Sequence, residues 1–413
     1  MGAGFPGGLL CCGACEGERP FAAHRALHSI PENRARGHVG LNQRFLNMSF
    51  SNHFIREEVM SRPEQIIRGE IRTLKPYHVP SSTGLIKLDA MENPYTFPES
   101  LREGLAARLS AAPFNRYPDA DGAELKAALR RTMNIPAELD ILLGNGSDEI
   151  IQMIALACAK PQATLLSIEP AFVMFRMIAT FCGLRYVGVP LTAKFEIDLD
   201  ATLEAIQREQ PALVFIAYPN NPTGNLFDRQ AIERLIEASP GLVVIDEAYF
   251  AFSSQSFLDD IDDYPNVVLM RTVSKLGLAG LRLGFLVGHP GWISAFDKLR
   301  LPYNINTLTQ AAATYALEHY DVLQNQTAAI CKEKARIETA LDQISAIERF
   351  PSAANFILLR VPNAAALFDG LLARGILVKN VSQSHALLNH CLRITIGTAE
   401  ENDAFIDALQ AAL

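Results

Sequence analysis

Three short apolar runs in this chain each end in residues that a protein core would not take. Leu213–Ala217 runs into Tyr218-Pro219-Asn220-Asn221-Pro222-Thr223-Gly224. Leu242–Ile245 runs into Asp246-Glu247-Ala248-Tyr249, and Val267–Met270 into Arg271-Thr272-Val273-Ser274-Lys275. In an open α/β sheet, ligands bind outside the carboxyl ends of the strands. The three polar clusters are therefore expected to meet in one crevice.

The residue types in that crevice fit one cofactor, pyridoxal 5′-phosphate. Its aldehyde needs an amine to form an imine, and Lys275 can supply it. Its ring nitrogen needs a carboxylate that keeps it protonated, a task that suits Asp246 at a buried strand end. Asn221 and Tyr249 can donate to the ring oxygen. The phosphate needs a helix N-terminus and a cation. Gly144-Asn145-Gly146-Ser147-Asp148 reads as a tight strand-to-helix turn, and Ser274 and Arg282 flank the lysine. Each piece alone has a blander reading. Gly144-x-Gly146 could open a dinucleotide fingerprint, but Glu149 stands where the third glycine belongs. It is the order and spacing of all the pieces that select the cofactor.

The elements that must position these residues are legible as alternating short apolar and amphipathic stretches. Ile141–Leu143, Ala163–Ile168, Leu213–Ala217, Leu242–Ile245, Val267–Met270 and Leu283–Val287 read as strands. One helix is expected from Ser147, with Ile150, Ile151, Ile154 and Cys158 on one face, and another carries Ile232, Leu235 and Ile236. Continuous apolar strands between helices imply a mainly parallel sheet covered on both faces. After Pro302 a long helical run is expected from Thr307 to about Leu341. Strands at Phe356–Arg360 and Leu392–Ile396 and a helix from Glu400 suggest a smaller α+β domain.

On these residues the chain resembles the fold-type I aminotransferases, and among them the histidinol-phosphate aminotransferases, from about Met60 to Leu413. The stretch Arg271–Phe285, RTVSKLGLAGLRLGF, is similar to that family's lysine signature. The resemblance implies a seven-stranded, mainly parallel sheet in a large domain and a smaller α+β C-terminal domain. The boundaries it suggests are an N-terminal arm over 60–95, a large cofactor-binding domain over 96–325 and a small domain over 326–413. It implies that Lys275, Asp246 and Tyr249 are catalytic. The cofactor would be held by these three together with Ser147, Asp148, Phe172, Asn221, Ser274 and Arg282. Tyr117, in Asn115-Arg116-Tyr117-Pro118, matches a tyrosine that reaches the neighbouring site of a homodimer. Arg393, Lys379, Asn355 and Asn93 match positions at the substrate.

Arg393 also stands out unaided, because an arginine inside the apolar run Cys391-Leu392-Arg393-Ile394 should have an anionic partner. Two residues depart from the family pattern. Met91 stands where many relatives have asparagine, and Lys379 where some have arginine, which keeps the charge but loses the bidentate geometry. The reaction implied is L-histidinol phosphate with 2-oxoglutarate giving imidazole acetol phosphate and L-glutamate, in histidine biosynthesis. Lys275 would carry the cofactor and then act as general base. An aromatic amino acid aminotransferase of the same fold would have nearly the same site. A decarboxylase of a phosphorylated amino acid is a further rival.

Composition narrows the field. With 45 acidic and 37 basic residues the net charge is −8, which argues against nucleic-acid or anionic-membrane partners. Neither a membrane-length apolar run nor a secretory leader is evident, and no metal is expected. The seven cysteines are scattered or clustered at Cys11, Cys12 and Cys15 without a second zinc-binding pair, consistent with a cytoplasmic location. Residues 1–59 are lysine-free and without periodicity, and are expected to be a disordered extension, with Met60 a plausible true start.

Overall fold

The computed structural model describes residues 63–76 and 79–413, of which Ile66–Leu413 form one compact unit. The expected extension over 1–59 and the Cys11, Cys12 and Cys15 cluster lie outside the described residues. In chain order the strands are β1 (Ile86–Leu88), β2 (Asp140–Gly144), β3 (Thr164–Glu169), β4 (Arg185–Pro190), β5 (Leu213–Ala217) and β6 (Leu242–Asp246). They continue with β7 (Val267–Thr272), β8 (Gly284–Gly288), β9 (Glu348–Arg349), β10 (Phe356–Arg360), β11 (Ile376–Asn380) and β12 (Cys391–Thr395).

Seven of these form one sheet in the order β2-β8-β7-β6-β5-β3-β4. All run in one direction except β8, which is antiparallel to both of its neighbours. Every residue of β5, β6, β7 and β8 is buried, so both faces of these strands must be apolar. Within β6, Val243 and Ile245 pack into one core layer while Leu242 and Val244 pack into the other. Helix Ser147–Cys158 buries Ile150, Ile151, Met153, Ile154 and Ala155 in the second layer.

The seventh strand, β4, escaped the pattern of apolar runs. It lies at the sheet's edge with half-exposed positions and the composition Arg-Tyr-Val-Gly-Val-Pro, which edge strands tolerate.

The remaining five strands form a second sheet, β1-β11-β12-β10-β9, mostly antiparallel. Its core includes Leu88, Phe356, Leu359, Ile376, Leu392 and Ile394. The long helical run expected over 307–341 is two helices, Thr307–Glu318 and Tyr320–Leu341. They part at His319, whose φ of −113° and ψ of 42° leave the helical region. The last helix, Ala399–Ala412, starts one residue earlier than expected, on a capping box formed by Thr398 and Glu401. No helix among the described residues is long and apolar enough to cross a membrane.

Candidate active site

The ends of β5, β6 and β7 open on one cleft, with ≈ 630 Å³ of space out to and including its solvent-filled mouth. Ser147, Asp148, Phe172, Asn221, Asp246, Tyr249, Ser274, Lys275 and Arg282 all line it. Nine residues singled out from sequence are thus brought together from five separate stretches of chain.

The amine and the carboxylate are both buried in it. Burial pushes the Lys275 amine down from 10.5 to about 8, and the nearby Arg393 charge acts in the same direction. Its Nζ donates to the Ala90 carbonyl at 3.2 Å and lies 5.9 Å from the centre of the Tyr249 ring. Burial pushes the Asp246 carboxyl up from 3.8 to about 7, against the pull of the Ala248 N–H that donates to Oδ1 at 3.0 Å. The Lys275 charge also draws it down without offsetting burial, and a protonated ring nitrogen would supply a closer counter-charge.

The other end of the cleft is built for an anion. Helix Ser147–Cys158 starts without a side-chain cap, so its first N–H groups are not consumed by a side chain of the chain itself. Gly146 leads into it at φ +83°, and a Cβ there would fall 2.5 Å from Arg282 Nη2. A Cβ on Gly284 would fall 2.6 Å from the Ser147 nitrogen. Glycine at these two positions lets β8 and the Arg282 guanidinium approach the helix start closely. Arg282 Nη2 lies 3.3 Å from Asp148 Oδ2. Ser274 Oγ accepts from Thr272 Oγ1 at 2.8 Å. Helix dipole, guanidinium and hydroxyl together suit a phosphate.

Between the two ends, Asn221 Nδ2 donates to Tyr249 Oη at 3.1 Å, and Arg393 Nη1 donates to Asn221 Oδ1 at 2.6 Å. Asn220 Nδ2 donates to the Pro170 carbonyl and to Thr223 Oγ1, which ties the loop after β5 to the segment that carries Phe172. Arg393 is buried on β12, with Nη2 donating to the Asp89 carbonyl at 2.8 Å. Lys379 is its direct cross-strand partner on β11, so the two side chains leave the same face of the sheet.

Asn355 and Asn93 reach backbone atoms beside the cleft. Asn355 Nδ2 donates to the Met91 carbonyl at 3.0 Å, and Asn93 Nδ2 to the Leu276 carbonyl at 2.9 Å. Tyr117 is not brought to the cleft within this chain. It is 79% exposed and stacks on Tyr303 at 4.4 Å between ring centres.

Met91, Thr272, Ala217, Pro219 and Ala248 also line the cleft; Pro219, Ala248 and Thr272 belong to the three clusters expected there, though the sequence gives them no role. Thr272 was within reach, since it shares a strand end with Ser274. Met91 departs from the family pattern, but nothing in its identity places it in the cleft.

Comparison with known proteins identifies the family. Histidinol-phosphate aminotransferase 2 of Cupriavidus pinatubonensis is 52% identical over 355 residues, covering 85% of this chain and 97% of that protein. The histidinol-phosphate aminotransferase of Chromobacterium violaceum is 52% identical over 347 residues, 84% of this chain and 98% of its own. Among solved structures, histidinol-phosphate aminotransferase from Sinorhizobium meliloti in complex with pyridoxal-5′-phosphate superposes with a TM-score of 0.76 at 28% identity. That match covers 84% of this chain and 97% of the other. Residues 83–409 match the family of class I and II aminotransferases, and the chain belongs to that family.

Proposed function

We propose that the chain transfers an amino group from L-histidinol phosphate to 2-oxoglutarate, yielding imidazole acetol phosphate and L-glutamate, as a step of histidine biosynthesis. The observation that carries this reading is one cleft holding a buried amine, a buried carboxylate and an uncapped helix start, with Arg393 hydrogen-bonded to its wall. The two relatives at 52% identity support the choice of substrate.

Ser147, Asp148, Ser274 and Arg282 would hold the phosphate of pyridoxal 5′-phosphate, and Phe172 would cover a face of its ring. Asn221 and Tyr249 would donate to the ring oxygen, and Asp246 would face the ring nitrogen. Bound there, the cofactor supplies an aldehyde that accepts the amino group and a ring that accepts the electron pair left on the substrate carbon. An amine held near 8 is part unprotonated at neutral pH, so Lys275 would be available to hold the cofactor and, when free, to take the substrate α-proton. Asp246 would counter positive charge at the ring nitrogen. Tyr249, held by Asn221, would present its hydroxyl to the ring oxygen.

Arg393 would grip the substrate anion. The two half-reactions present a phosphate and a carboxylate in turn, and a guanidinium fork accepts either. Lys379, on the same face, would add a second positive charge. We include in this proposal a homodimer in which Tyr117 serves the neighbouring site, a cytoplasmic location, and a division into large and small domains near residue 325.

A donor panel with 2-oxoglutarate tests the reading. Histidinol phosphate is expected to give the highest kcat/KM, well above phenylalanine. A preference for phenylalanine would assign the chain to aromatic amino acids, and release of carbon dioxide from a phosphorylated amino acid would make it a decarboxylase.

A further inference from the structure

The segment from Asp89 to Asn93 leaves β1, in the five-stranded sheet, and passes over the strand end that carries Lys275. Its backbone is tied at three successive residues. The Asp89 carbonyl accepts from Arg393 Nη2 at 2.8 Å, and the Ala90 carbonyl from Lys275 Nζ at 3.2 Å. The Met91 N–H donates to Thr395 Oγ1 at 2.9 Å, and the Met91 carbonyl accepts from Asn355 Nδ2 at 3.0 Å. Met91 has a φ of +53°. That is the left-handed region, which costs a residue with a Cβ roughly 1 kcal/mol and persists only where the surroundings enforce it. Thr395 and Asn355 are both buried, and they hold the Met91 peptide from its two sides.

We propose that Thr395 and Asn355 are positioning residues for Lys275: by holding Met91 left-handed, they aim the Ala90 carbonyl at the lysine amine. Neither hydrogen-bonds the lysine itself. The carbonyl gives the amine a fixed resting place whenever it is not covalently engaged, and a carbonyl dipole aimed at an ammonium favours the protonated form. It opposes burial and the positive charges of Arg393, Arg282 and Lys87, and acts alongside Glu92 and Asp246. The strap thereby helps set how much free amine Lys275 offers. Its two neighbouring carbonyls also link the lysine to Arg393, the proposed anion anchor.

The inference rests on Lys275 being the reactive amine, and the two can be tested apart. Cofactor-free protein is acetylated with acetic anhydride across a pH series, and modification at Lys275 is read by mass spectrometry. In Thr395→Val, which keeps shape but loses the acceptor, the labelling midpoint is expected to fall by about half to one pH unit. Thr395→Ser, which keeps the hydroxyl, is expected to match the unaltered protein. Asn355→Ala reads the same peptide from its carbonyl side and serves if Thr395→Val does not fold. Folded Thr395→Val or Asn355→Ala with an unaltered midpoint would overturn the proposal. Borohydride reduction of the holoenzyme followed by peptide mapping is the separate check. A cofactor adduct on another lysine would overturn the role of Lys275 in transamination without touching the midpoint comparison.

Discussion

Arg393 and Asn221 lie 172 residues apart in sequence, yet Nη1 of the first donates to Oδ1 of the second at 2.6 Å. The bond joins the five-stranded sheet to the loop after β5, and Asn221 passes the constraint on to Tyr249. The guanidinium also lies 5.4 Å from the centre of the Phe356 ring. Arg393 is thus aimed by groups on both sheets before any substrate arrives, which lowers the ordering cost of binding.

Arg393→Lys keeps the charge but cannot fill both bonds. Losing one or two charge-assisted hydrogen bonds should lower kcat/KM by about 10- to 100-fold. The loss is expected mainly in KM, and for both substrates, if one side chain holds phosphate and carboxylate alike. Steady-state kinetics with each substrate varied in turn would show it. A defect confined to one substrate would mean that the anions have separate anchors.

Lys275→Ala removes the amine while leaving the cleft walls in place. Transamination should fall below detection, and the long-wavelength absorbance of covalently held cofactor should vanish. Purified variant that retains either would remove Lys275 from its assigned role.

The carboxyl of Asp246 makes a prediction about cofactor-free protein, with no turnover needed. Its folded pKa of about 7 lies above its ordinary 3.8, so the folded state binds the extra proton between those values. Stability from this group must therefore fall as pH rises through that window and stay low above it. Asp246→Asn removes the titration. Its melting temperature relative to the unaltered protein should rise from pH 4 to pH 8, by the equivalent of about 4 kcal/mol at most. A difference that is flat across this range would mean that the site does not disfavour the carboxylate. In the holoenzyme the same substitution should slow turnover severely, since an amide cannot counter a ring charge.

The cleft was legible in the sequence where its residues cluster at strand ends. Asp246 directly follows a run of buried aliphatic residues, and Tyr249, Ser274 and Lys275 lie in the short polar stretches just beyond such runs; a run of that kind has few other places to be. What the sequence concealed depends on contacts between distant stretches. Thr395 reads as one more β-branched strand residue, and only the fold shows its hydroxyl bonded to Met91, 304 residues earlier. Strands β1, β4 and β11 are short or carry Lys, Arg, Gly or Pro, so they lack the apolar continuity that exposed their neighbours. The break at His319 is a backbone departure between two helix-forming stretches, which periodicity alone does not reveal.

Behind Asp246, the next residue forms a buried ion pair that is fully furnished with hydrogen bonds. Glu247 is 0% exposed and Arg271 4%. Arg271 donates to Glu247 Oε2 through Nε at 2.9 Å and Nη2 at 2.7 Å, while Ser256 Oγ and the Phe257 N–H donate to the same carboxylate. The guanidinium carbon lies 4.5 Å from the centre of the Phe250 ring. Isolated in a low-dielectric interior either charge would be very costly, so the pair stands only while both members do. Arg271→Met should therefore destabilise the protein by about 3 to 5 kcal/mol, since it strands the Glu247 charge. The double variant Arg271→Met/Glu247→Gln should recover much of that loss, because the amide keeps acceptors for Ser256 and Phe257 without a buried charge. Denaturant melts of the single and double variants decide the matter. Equal losses in both would place the cost in side-chain packing, and the charge pair would then contribute little to holding the Asp246 strand end.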